Sequence, residues 1–198
     1  CCCFLLLFFA VVFCCCLFAV FFAVVLMALV VSNVWSQNAA SQDKTSALGN
    51  YSPTWQETIS AYNKLASETK NTALFEIGMS DVGRPIHAFV LSQNADDIFN
   101  LRELTELRAS NQNRACLLIN NAIHPGEPCG VNASLSWLES LMSETKKRNR
   151  LLAKMDVVVI PMYNVGGALN RNCCSRTNQN GPEEYGFRGN ARNLDLNR

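Results

Sequence analysis

An imidazole and a carboxylate three residues apart, on either side of a tight turn, can converge on one metal ion. Residues 121–130 carry that arrangement: Asn121-Ala122-Ile123-His124-Pro125-Gly126-Glu127-Pro128-Cys129-Gly130. His124 and Glu127 are both good zinc ligands, and the Pro-Gly pair between them favours the turn. The spacing alone is a weak signal, since a loop histidine bonded to backbone beside a surface glutamate reads the same way. A second segment, Arg188-Gly189-Asn190-Ala191-Arg192-Asn193-Leu194-Asp195-Leu196-Asn197-Arg198, is dense in guanidinium and amide groups. Such donors suit carboxylates and developing oxyanions, although a solvated polar loop shares the composition. His87, the other histidine, has no ligand-spaced partner and reads as structural.

The elements around these segments follow from periodicity. Ser52-Pro53-Thr54 opens a helical pattern that carries Trp55, Ile59, Tyr62 and Leu65 on one face. Residues 73–79 and 86–92 read as strands joined by the turn Asp81-Val82-Gly83-Arg84-Pro85, a hairpin. Residues 96–110 are helical or irregular. Residues 115–119 form a short apolar strand that runs straight into the His124 loop, and 131–144 return to helical spacing. The run Val157-Val158-Val159-Ile160 suits a strand covered on both faces. After Tyr163 the chain becomes polar and rich in Gly and Asn, a long loop of the kind that more often carries function. Helices between buried strands predict an α/β fold, a mixed sheet sandwiched by helices.

The order of these pieces adds to the two motifs: strand, His-Pro-Gly-Glu, helix, apolar strand, Asn-rich loop with arginines, then Asn-Leu-Asp-Leu-Asn-Arg. In that order the chain resembles the M14 family of zinc metallocarboxypeptidases over about residues 52–198, the first part of that domain. Residues 77–86 look like the family's early hairpin. Pro161-Met162-Tyr163-Asn164-Val165-Gly166-Gly167 stands where the family usually has Asn-Pro-Asp-Gly, a departure from the pattern. The resemblance implies that His124 and Glu127 are the first two zinc ligands. It implies that Asn197 and Arg198 grip the terminal carboxylate of a peptide or protein substrate. It makes Arg176 the best match for the arginine that polarises the scissile carbonyl, with Arg171, Arg188 and Arg192 as rivals.

A catalytic zinc takes three protein ligands and an open position for water. No histidine follows His124 in the 198 residues. The expectation is therefore an N-terminal fragment of the peptidase domain, with its sheet incomplete at the C-terminus. It would lack the third ligand, the catalytic glutamate and the substrate-covering tyrosine of the family, bind zinc weakly and hydrolyse nothing. The alternatives are a non-catalytic module that binds carboxylates, or another zinc amide hydrolase of the same fold, acting on cell-wall peptides or acylated amino acids.

Composition bounds the rest. Net charge is +1 with pI about 7.6, so no global field recruits nucleic acid or a membrane surface. The basic cluster Lys146, Lys147, Arg148 and Arg150 reads as a solvated helix end. No charged residue precedes Asp43, and residues 1–31 are apolar throughout, long enough to span a bilayer at about 20 residues. This run is an export signal, a membrane anchor or a mistranslated stretch. Either of the first two makes the domain secreted or membrane-anchored, outside the cytoplasm. Residues 32–50 have the composition of a polar linker, and 51–198 form the domain. Of the 10 cysteines, Cys116, Cys129, Cys173 and Cys174 lie outside the apolar run. Adjacent cysteines such as Cys173 and Cys174 rarely bridge one another, and a bridge from either to Cys116 or Cys129 remains open.

Overall fold

The computed structural model describes residues 50–110 and 113–198. The apolar run 1–31 and nearly all of the linker lie outside the described residues. Among the described residues no helix is long and apolar enough to cross a membrane.

Helix α1 (Trp55–Glu68) begins where the sequence places it. The Thr54 hydroxyl accepts the Glu57 backbone N–H at 3.2 Å, and the Glu57 carboxylate accepts the Thr54 N–H at 2.9 Å, a reciprocal cap. Strands β1 (Thr72–Met79) and β2 (Pro85–Leu91) then form the expected hairpin. Its turn is closed by the Ser80 N–H on the Arg84 carbonyl at 2.8 Å. A 3₁₀ turn (Ala95–Asp97) and helix α2 (Leu101–Ser110) follow, then β3 (Ala115–Asn120), α3 (Cys129–Ser143), α4 (Thr145–Leu152), β4 (Met155–Ile160) and the short α5 (Val165–Leu169).

The four strands make one mixed sheet in the order β1-β2-β4-β3, antiparallel except for the β3–β4 pair. Alternation along β2 and β4 builds two cores. Phe89, Leu91, Val157 and Val159 face Tyr62 of α1, Leu135, Leu138 and Leu141 of α3, and Leu152 of α4. Ala88, Val90 and Val158 face the opposite side, with Phe75, Ala95, Ile98 and Leu104. The sheet is thus covered on both faces, as the apolar run in β4 predicts. Each Leu or Phe buried here contributes about 1.5–3 kcal/mol relative to an exposed one.

Three local features differ from the sequence expectation. The helical stretch from 131 does not end in a basic cap. It breaks at Glu144 (φ −105°, ψ 75°), and the basic residues occupy their own helix, α4. The polar stretch after Tyr163 contains α5, capped by the Asn164 side chain. Cys173 and Cys174 are joined to each other, against the expectation for adjacent cysteines, while Cys116 and Cys129 are free and exposed. Strand β3 stands at the edge of the sheet with Leu117 and Leu118 41% and 60% exposed. Among the described residues no strand pairs with its outer edge.

Candidate metal centre

The two parallel strands β3 and β4 end side by side, and the loops leaving their carboxyl ends are stitched together. The Asn121 N–H donates to the Ile160 carbonyl at 3.1 Å. In return the Tyr163 and Asn164 N–H groups donate to the carbonyls of Asn121 and Ala122 at 2.9 and 3.1 Å. In open α/β sheets this end of the parallel strands is where ligands bind. Ala122 takes a left-handed backbone (φ 53°), which costs a non-glycine residue about 1–3 kcal/mol and is tolerated where its surroundings fix it. That bend turns the chain out of the sheet into the His124 loop. The loop closes on itself through the Glu127 N–H, which donates to the His124 carbonyl at 2.8 Å.

His124 is 9% exposed, and its two ring nitrogens face different carboxylates. Nε2 lies 2.8 Å from Asp195 Oδ1, and Nδ1 lies 3.9 Å from Glu127 Oε1. The hydrogen bond from His124, with the Asn197 backbone N–H and Arg188 adding to it, holds the Asp195 carboxyl well below the usual range. An ionised carboxylate only accepts, so Nε2 is the donor to Asp195, and Nδ1 is the ring nitrogen turned toward Glu127.

Arginines close the site. Arg176 Nη1 donates to Glu127 Oε1 at 2.5 Å, and Arg188 Nη1 reaches the same oxygen at 3.4 Å. The Arg176 bond is the main cause that lowers the Glu127 pKa. Arg188 Nε donates to Asp195 Oδ2 at 2.9 Å, so Arg188 touches both carboxylates. Arg198 Nε stands 3.8 Å from Asp195 Oδ2, and the Asn197 N–H donates to Asp195 Oδ1 at 3.0 Å. The structure therefore brings together all five residues singled out from the sequence: His124, Glu127 and Arg176 directly, Asn197 and Arg198 by way of Asp195.

The rival arginines separate. Arg188 belongs to the cluster. Arg171 instead donates to the carbonyls of Ser52, Pro53 and Glu184, fastening the start of the domain. Arg192 is exposed in the turn at 190–194. His87 lies in β2 opposite Glu76, its ring 6.2 Å from that of Trp55, and burial lowers its pKa. Asp195 was missed as a functional residue, although it sits two positions before Asn197 in the quoted motif. Its partner His124 is 71 residues away, beyond the reach of local spacing.

Loop 185–189 packs against the His124 loop so closely that side chains are excluded. A Cβ on Gly186 would lie 2.4 Å from Pro125 Cβ and 2.8 Å from the Gly167 carbonyl oxygen. The Gly186 N–H donates to the Pro125 carbonyl at 3.3 Å, which ties the arginine-bearing segment to the His-Pro-Gly-Glu turn.

Imidazole nitrogen and carboxylate oxygen are both donor types that zinc accepts. Two zinc bonds of about 2.1 Å can together span about 4.2 Å, and Nδ1 and Oε1 are 3.9 Å apart. Among the described residues no group of three or more His, Cys, Asp or Glu is arranged to hold a metal; Asp195 stands on the other ring nitrogen of His124.

A family model for zinc carboxypeptidases (peptidase M14) matches residues 58–198. The chain is 28% identical over 121 residues to carboxypeptidase 2 of Trichophyton rubrum, covering 60% of this chain and 21% of that protein. Its fold is similar to that of a metallo-carboxypeptidase from Burkholderia cenocepacia, with a TM-score of 0.52 at 14% identity, over 74% of this chain and 32% of that one. It is similar again to a metallo-carboxypeptidase from Pseudomonas aeruginosa solved with (2-guanidinoethylmercapto)succinic acid, with a TM-score of 0.52 at 18% identity, over 74% and 31%. The chain belongs to the zinc carboxypeptidase family. It spans about a fifth of the curated relative and under a third of these solved relatives.

Proposed function

We propose that this chain carries part of the active site of a zinc-dependent metallocarboxypeptidase, which removes residues from the C-termini of peptides or proteins. The observation that carries the reading is Nδ1 of His124 facing Glu127 Oε1 at 3.9 Å, in a chain of the zinc carboxypeptidase family. His124 and Glu127 are two of the zinc ligands. When bound, zinc supplies a Lewis acid that activates water for amide hydrolysis. Asp195 keeps the proton on Nε2 and so keeps Nδ1 available as a donor. Arg176, beside the donor pair, polarises the scissile carbonyl and takes up charge developing on its oxygen. Asn197 and Arg198 hold the substrate's terminal carboxylate, which orients the last peptide bond.

A catalytic zinc takes three protein ligands. On this reading His124 and Glu127 supply two of them, so the 198-residue polypeptide taken by itself binds the ion weakly and does not turn over substrate. The apolar composition of residues 1–31 supports a secreted or membrane-anchored, extracytoplasmic protein.

Hydrolysis by the full-length protein tests the reading, with paired peptides that differ in a free or an amidated C-terminus. The expected result is zinc-dependent release of the last residue from the free peptide alone, lost in His124→Ala and Glu127→Ala. Binding of the free peptide without hydrolysis would replace the peptidase with a carboxylate-binding module.

A further inference from the structure

The side chain of Asn164, 1% exposed, reaches both walls of the site. Its Nδ2 donates to the carbonyl of Ile123, the residue before His124, at 3.2 Å. The same nitrogen donates to the carbonyl of Arg188, also at 3.2 Å. Its Oδ1 accepts the Gly167 N–H at 2.9 Å, the first-turn cap of α5. The two N–H bonds of one amide are thus divided between the loop that bears His124 and the loop that bears Arg188 and Asp195. The second loop lies hard against α5: a Cβ on Gly167 would come 2.5 Å from the Gly189 carbonyl oxygen and 2.6 Å from that of Phe187. On its outer side Asp81, in the β1–β2 turn, accepts the Ala191 N–H at 2.7 Å.

We propose that Asn164 is a positioning residue for the metal centre, setting the separation of the His124 and Arg188 loops. The proposal rests on the zinc reading above. Two contacts depend on that separation: His124 to Asp195 and Arg188 to Glu127, at 2.8 and 3.4 Å. Hydrogen bonds weaken over tenths of an ångström, so a small drift of the Arg188 loop turns the imidazole and changes the charge around Glu127. An aspartate at 164 keeps the volume and the cap but points a second oxygen at two carbonyl oxygens. A serine keeps the cap, since its hydroxyl also accepts from a first-turn N–H, but cannot bridge the two loops.

The test is metal binding by the full-length protein carrying Asn164→Asp or Asn164→Ser, with His124→Ala and Glu127→Ala in parallel. Zinc affinity is measured by chelator competition, ligand geometry by the visible absorption of the cobalt(II) form, and folding by circular dichroism and urea denaturation. The expected result for both Asn164 variants is a folded protein with zinc affinity down by about 10–100-fold, the range for partners that orient a ligand, and an altered cobalt spectrum. Unchanged affinity and spectrum in a folded variant would overturn the proposal. So would loss of the fold in both variants, which assigns Asn164 to stability alone. If His124→Ala and Glu127→Ala also bind zinc like the wild type, the zinc reading itself fails; if they lose it while the Asn164 variants do not, only the positioning role fails.

Discussion

Asp156, at the start of β4, is 0% exposed and ionised, which makes it the most demanding buried group described outside the site. Its Oδ1 accepts the Ser92 hydroxyl at 2.8 Å and Arg114 Nη2 at 3.1 Å, and its Oδ2 accepts Arg108 Nη1 at 2.6 Å. Burial pushes its pKa up, but these hydrogen bonds outweigh burial and hold it below the ordinary value. Asp156→Ala would leave two guanidinium groups without a counter-charge, and breaking a buried pair this way costs about 3–5 kcal/mol. Arg108 keeps the Arg114 carbonyl, and Arg114 keeps those of Leu152 and Met155. Their side chains are 26% and 21% exposed, so water can share in the compensation. The expected loss therefore falls at the low end, about 3 kcal/mol.

Urea denaturation at neutral pH checks the Asp156 loss as a lower midpoint with an unchanged slope. The pH dependence gives a second reading. An aspartate in the unfolded chain titrates at about 3.9, and the folded pKa is lower. Between the two values the unfolded chain binds the proton and the folded one does not. The contribution is fully present above about pH 4 and is lost as pH falls through the folded pKa. Asp156→Asn lacks this part of the acid slope. An alanine variant within about 0.5 kcal/mol of wild type, the scatter of surface substitutions, would refute the reasoning. So would an asparagine variant with the wild-type acid profile.

Other outcomes follow from the same structure. Asp195→Ala frees Nε2 of His124 and lowers zinc affinity by about 10–100-fold, measured by chelator competition on the full-length protein. Gly186→Ala forces a methyl group against Pro125 and the Gly167 carbonyl; it destabilises the fold by about 1–3 kcal/mol in urea denaturation and weakens metal binding with it. Thr54→Ala removes the reciprocal cap of α1 and costs about 0.5–2 kcal/mol by thermal or urea denaturation, without altering metal affinity.

The elements that could be read from the sequence were those with a local physical cause. The run Val157-Val158-Val159 demanded cover on both faces, and both cores supply it. The Asp81–Pro85 turn between two alternating runs could only close a hairpin. His124 and Glu127 were visible because their spacing is short. What escaped has its cause in residues distant along the chain. The Asp195–His124 bond spans 71 positions and the Asn164–Ile123 bond 41, and neither leaves a periodic trace. Arg188 outranks Arg171 at the site because Arg171 is spent on the carbonyls of residues 52, 53 and 184, a contact that only the fold creates.

In the proposed function, the side chains of His124 and Glu127 would together hold the zinc ion. Equilibrium zinc binding to metal-free full-length protein, compared with His124→Ala and Glu127→Ala, tests it most directly. The expected result is a single tight site in the wild type and loss of that site in each variant, with the fold retained. Wild-type affinity in either folded variant would contradict it.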